Sequence, residues 1–128
     1  MKLRHRGDGA LRQPPIPGRP TVEVLFGDNT DAHVGLARVT VPPGGGMPEH
    51  DHGGSDIVLA PQVGRVEVTT ADGEVTTVAA GDVALIGRDE RVALTNPGSD
   101  DAELLVAAGP PDFLGTILRW PEVVDVVR

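Results

Sequence analysis

Short apolar runs alternate with polar, glycine-rich or proline-rich punctuation along most of the chain. From Thr21 onward eight of them read as strands: TVEVLF, HVGLARVTV, DIVLA, RVEVTT, EVTTVA, VALI, RVALT and ELLVAA. In RVEVTT the alternation is explicit, with Val66 and Val68 on one face and Arg65, Glu67 and Thr69 on the other, as in a sheet with one buried side. Turn chemistry falls between the runs: GDNTD at 27–31, PPGGGMPEHDHGGS at 42–55, ADG at 71–73, AGD at 80–82, GRDE at 87–90 and NPGSDD at 96–101. TTADGEVTT is the clearest hairpin signal. No helical period occurs before Phe113, so the pattern predicts an all-β, antiparallel sandwich or barrel. The last segment, DFLGTILRWPEVVDVVR, reads as a short helix up to Arg119, limited by Pro121, or as an edge strand at VVDVV. Phe113 and Trp120 are expected to cover one end of the core.

Composition narrows this picture. A length of 128 residues suits one domain, placed here at 21–128, preceded by a basic arm at 1–20 whose QPPIPGRP ending favours an extended path outside the core. Hydrophobic residues make up 39% of the chain but aromatics only 2%, so the core is built from Val, Leu, Ile and Ala. The absence of cysteine removes disulfides, thiolate chemistry and Cys-based zinc sites, and leaves His and carboxylate as the metal ligands available. The net charge of −8 divides into +4 over residues 1–20 (five basic, one acidic) and −12 over the rest (six basic, eighteen acidic). An acidic body without aromatic stacking platforms argues against nucleic acid as a partner. Neither a signal core nor a membrane span is apparent, which makes the cytoplasm the expected location and no membrane the expected partner. Gly-x-Ser-x-Gly, phosphate-loop and dinucleotide patterns are absent as well.

The stretch PEHDHGGSD, Pro48 to Asp56, sets His50 and His52 one residue apart among acids. On an extended segment, residues at i and i+2 point to the same side, and Asp56 shares that parity. Two histidines and a carboxylate hold a divalent first-row ion on one face and leave other positions open for substrate or oxygen. The same residues also read as a solvated loop flanked by Glu49, Asp51 and Asp56, because His-x-His alone is a short pattern.

Around this stretch the chain resembles the cupin superfamily. The family's first motif, G-x5-H-x-H-x3,4-E-x6-G, finds Gly44, His50, His52 and Gly64 in place. Its second, G-x5-P-x-G-x2-H-x3-N, spans GDVALIGRDERVALTN, with Gly81 at the head and Asn96 at the end. The motifs cover residues 44–96, and the flanking strands extend the resemblance over roughly 21–110, which implies an antiparallel jelly-roll β-barrel. Three departures lie in the second motif, where Val92 stands at the histidine, Gly87 at the proline and Asp89 at the second glycine. For the first motif's glutamate, Asp56 follows three spacers but leaves seven residues before Gly64, whereas Ile57 follows four and leaves six. Asp56 would preserve a three-ligand metal site of His50, His52 and Asp56. Ile57 would leave the two histidines alone unless Glu49, Glu90 or His33, none at a family ligand position, reaches in. His33 otherwise reads as a partly buried strand residue, Glu90 as part of a charged turn, and Asn96 as a turn former before Pro97-Gly98. Arg38 and Thr40 share a parity that places them either inside the barrel or on its wet outer face.

Two functional expectations follow. In the first, a small metal-dependent cupin enzyme acts on a small organic molecule, with iron, manganese, nickel, copper or zinc on His50, His52 and Asp56. The resemblance does not select among dioxygenase, isomerase, epimerase, decarboxylase and lyase chemistry. In the second, a metal-free or metal-poor cupin binds a small ligand or serves a regulatory or structural role, with an apolar pocket near Val92 and Leu94 and histidines that supply hydrogen bonds or acid–base groups. The retained His-x-His pair places the first ahead. The resemblance also implies a homodimer paired through sheet edges, and the scarcity of aromatics argues against a sugar-stacking pocket.

Overall fold

A computed structural model describes residues 1–27 and 32–123. Its elements are β1 (Ala10–Arg12), β2 (Thr21–Phe26), β3 (Gly35–Val41), β4 (Gly46–His50), β5 (Asp56–Val63), β6 (Arg65–Thr70), β7 (Val75–Ala79), β8 (Ala84–Ile86), β9 (Val92–Thr95), β10 (Ala102–Gly109) and the helix α1 (Asp112–Ile117). The strands form a six-stranded sheet, ordered β1-β2-β3-β10-β5-β8, and a four-stranded sheet, ordered β4-β9-β6-β7. All pairings are antiparallel, giving the expected jelly roll.

Period-two alternation places the core between the sheets. Along β10, Ala102, Leu104, Val106 and Ala108 point inward, and β10 sits between β3 and β5 in the middle of the larger sheet. From the smaller sheet, Val66, Val68, Val78 and Val92 meet them, with Val66 and Val68 on the buried face as the RVEVTT pattern requires. Buried side chains of this kind each contribute about 1.5–3 kcal/mol, so aliphatic residues alone suffice for the core. Phe113, Leu118 and Trp120 pack partly buried against one end, the cover expected of the two aromatics.

Two strands lie in segments that the sequence presented as irregular. Residues 10–12, within the proline-rich arm, pair with β2 as β1, and Glu23 on β2 accepts backbone hydrogen bonds from Gly7 (2.6 Å) and Gly9 (2.9 Å). The second, β4, lies within the glycine-rich stretch read as a turn. It runs along an edge of the four-stranded sheet, a position that tolerates a proline such as Pro48. At the C-terminus, α1 forms and ends before Arg119; the alternative strand at VVDVV lies, beyond Val123, outside the described residues. Arg38 and Thr40 take the outer face: Arg38 pairs with Glu23 at 3.2 Å, while the alternate residues Ala37, Val39 and Val41 face the interior. Among the described residues no helix is long and apolar enough to cross a membrane.

Candidate functional site

His50 ends β4 opposite Val92 on β9, after a register shift between Met47 and His50. The chain then leaves the sheet. Gly53 takes a left-handed φ of 59°, and the amide of Ser55 donates to the His52 carbonyl at 3.2 Å, closing a tight turn before β5 begins. Ser55 is fully buried, donates its hydroxyl to the Pro110 carbonyl at 2.6 Å and accepts from the Phe113 amide at 3.3 Å. It thereby fixes the histidine loop to the start of α1.

The two imidazoles meet edge to face, with Nε2 of His50 3.2 Å from Nε2 of His52. Nδ1 of His50 lies 2.8 Å from the Pro48 carbonyl, an acceptor, so this nitrogen carries the proton and donates. The ring of His52 packs edge to face on Phe113, with centroids 4.6 Å apart. His52 is only 7% exposed, and its Nδ1 finds no hydrogen-bond partner among the described residues. Its pKa is pushed down to about 4, first by burial and then by His50, against an opposing pull from Asp51. At neutral pH His52 is therefore an uncharged imidazole.

Asp56 does not join the pair. The turn at 51–55 interrupts the extended parity on which its alignment with the histidines depended, and β5 begins with Ile57, not Asp56, pointing inward. The Asp56 carboxylate accepts from the Arg88 amide at 2.9 Å and from its guanidinium at 3.3 Å, contacts that hold its pKa below the usual carboxylate range. Nor do the other candidates reach in: Glu49 pairs with Arg91 at 3.2 Å, Glu90 accepts from the Gly87 amide at 2.9 Å, and His33 is exposed. Asn96 is buried and donates to the carbonyls of Val41 and Asp100 at 3.0 and 2.8 Å, a clamp on the core rather than a site residue.

The histidines line a cavity of about 270 Å³ between the sheets. Met47, Ile57, Leu59, Val92, Leu94 and Leu104 supply much of its wall, with Phe113 and Trp120 beside them and, among the described residues, no lysine or arginine in the lining. Ile57 and Phe113 were not singled out as site residues by sequence. The four-spacer alternative in the first motif pointed to Ile57, whereas nothing local marks Phe113 as a neighbour of His52.

Whether these residues suit a resident metal is decided by their donor atoms. Two imidazoles bound to one first-row ion at about 2.0–2.1 Å have their nitrogens roughly 2.9–3.3 Å apart, which the Nε2 pair meets at 3.2 Å. His50 also has the carbonyl partner on its far nitrogen that metal-bound histidines have, but His52 lacks one. On the resemblance, one further ligand position falls on Val92 and the other on Asp56 or Ile57; Ile57 is buried, Asp56 is held by Arg88, and among the described residues no three His, Asp or Glu side chains group to hold an ion. The donor set falls short of a tightly held metal.

Comparisons with known proteins agree with the geometry of the fold. The family model described as Cupin domain matches residues 37–108. No curated protein matches the chain. Among solved structures, the polyketide cyclase RemF from Streptomyces resistomycificus is 24% identical with a TM-score of 0.72, over 85% of this chain and 79% of its own. A predicted oxalate decarboxylase from Thermotoga maritima is 21% identical with a TM-score of 0.71, over 86% and 99%. An oxalate oxidase is 22% identical with a TM-score of 0.66 over 76% of this chain, which spans only 54% of the oxidase's length.

Proposed function

The chain belongs to the cupin domain family, and we propose that within it this protein binds a small, uncharged and mainly apolar organic molecule in the barrel cavity, with the His50–His52 pair as its polar contact. The observation that carries the reading is the lining. Ile57 and Val92 present aliphatic side chains to the cavity beside the histidines, and among the described residues no lysine or arginine lines it to pair with a carboxylate. An apolar cavity of about 150 Å³ suffices for benzene, so one of this size has room for a substituted ring. Of the chemistries named for the similar structures, one directed at oxalate is the less suited, because a buried dianion needs compensating charge and no lysine or arginine among the described residues lines the cavity. Titration of chelator-treated protein with ethylbenzene and with oxalate tests the reading. One-site binding of ethylbenzene and none of oxalate is expected; the opposite preference would overturn it.

The 3.2 Å separation of the Nε2 atoms favours a second reading, in which the pair holds a divalent ion whose remaining ligands come from the substrate. Elemental analysis of untagged protein after reconstitution with iron, manganese, nickel, copper or zinc separates the two. The first reading expects substoichiometric metal in the wild type, as in His50→Ala and His52→Ala. Stoichiometric metal that both substitutions abolish would establish the second.

A further inference from the structure

The outer face of the six-stranded sheet carries apolar side chains that the core does not use. Four lie in one row across adjacent strands: Leu85 on β8 stands opposite Val58 on β5, Val58 opposite Ala107 on β10, and Ala107 opposite Leu36 on β3. Two residues further along, Ala60 and Leu105 form the next pair on the same face. Leu85 is 74% exposed and Val58 38%, while the other four are partly buried. Ion pairs bound the patch along the strands, Arg88 with Asp56 at one end and Arg6 with Glu103 at the other. An apolar centre with a charged rim is the anatomy of a protein interface.

Shape and charge across this face select the partner. The N-terminal arm is fastened to its β2 side, where Gly7 and Gly9 donate to the Glu23 carboxylate and Arg4 donates to the Leu25 carbonyl, whereas Leu85 and Val58 stay exposed on the β8 side. Met1 and Leu3 at the start of the arm are exposed as well. Residues 1–9 hold three basic side chains and one acidic, a net +2, and residues 81–90, which contain β8, hold three acidic and one basic, a net −2. A two-fold axis parallel to the strands sets the raised, basic side of one copy on the bare, acidic side of the other, and does so twice. We infer that the outer face of the larger sheet binds a second copy of this chain, face to face, with each arm against the other copy's β8.

Sedimentation of the full chain across the micromolar range should give twice the 13.3 kDa monomer mass. Leu85→Arg sets a cation against the basic arm and should weaken the dimer about tenfold or more, with a smaller loss for Leu85→Glu, which the arm can pair. The exposure of Leu85 lets both variants keep the fold, which circular dichroism checks. A second test uses the absence of cysteine: a bismaleimide should link Leu3→Cys/Leu85→Cys chains into covalent dimers, but not Leu3→Cys/Val75→Cys chains, whose second thiol lies on the smaller sheet. A monomer at every concentration would overturn the inference and leave the face to a different partner. A dimer that Leu85→Arg leaves intact, and that the first cysteine pair fails to link, would overturn it by placing the contact elsewhere.

Discussion

Asp89 adopts a φ of 61°, the one non-glycine residue with positive φ among those described. On the motif resemblance its position corresponds to the second glycine of the family's second motif, and its backbone has a conformation that favours glycine. Aspartate tolerates this region better than most residues, and a β-branched residue tolerates it poorly. Asp89→Gly should be neutral or stabilising by up to about 1 kcal/mol, and Asp89→Val destabilising by about 1–3 kcal/mol, by denaturant unfolding. The same register places Val92 at the motif's histidine, which the pairing of Val92 with His50 across β9 and β4 supports. His52 gives a second expectation. Its folded pKa of about 4 lies below the ordinary 6.5, so the unfolded chain binds the extra proton first as pH falls. The groups facing it are His50 and Asp51, with Phe113 against its ring. Stability that is complete above pH 6.5 should therefore decline by about 2–3 kcal/mol on acidification to pH 4. Urea unfolding of the wild type against His52→Phe, in which this slope disappears, checks it.

Strands were readable wherever alternation and turn residues agreed, as in β6, β7 and β10, and the aliphatic core was implied by a sequence nearly without aromatics. β4 was hidden because Pro48 and three glycines carry turn chemistry, while an edge position tolerates both. Gly46 shows why a glycine is required there: a Cβ would lie 1.8 Å from the Leu94 carbonyl oxygen on β9. Gly46→Ala should cost about 2–4 kcal/mol and disturb His50 at the far end of the strand, measured by unfolding and by the His50 ring signals. β1 was hidden for a different reason, since three residues between prolines and glycines show no alternation. Its segment is held by Glu23, which is buried and receives Gly7, Gly9 and Arg38 together. Glu23→Ala is expected to lose about 1–3 kcal/mol, readable as a lower urea midpoint, and to release the segment to proteolysis.

For the whole molecule, chassis and chemistry have separate sequence signals. The jelly roll was recoverable because its glycines, turns and alternation are distributed over the chain and support one another. The site was recoverable only in part: His50 and His52 come together as their spacing implied, but Asp56 does not, because strand parity cannot be carried through a loop that turns at Gly53. Val92→His should place a third imidazole in the lining and let the protein retain zinc through gel filtration where the wild type does not. The account stands on the claim that the cavity takes an apolar molecule without a metal, and methyl-resolved NMR of chelator-treated protein titrated with ethylbenzene tests this most directly. Shifts confined to cavity methyls such as those of Ile57, Leu59 and Val92, with the exposed methyls of Val75 and Val83 unmoved, are predicted. Shifts that appear only after a divalent metal is added, or only at the exposed methyls, would contradict it.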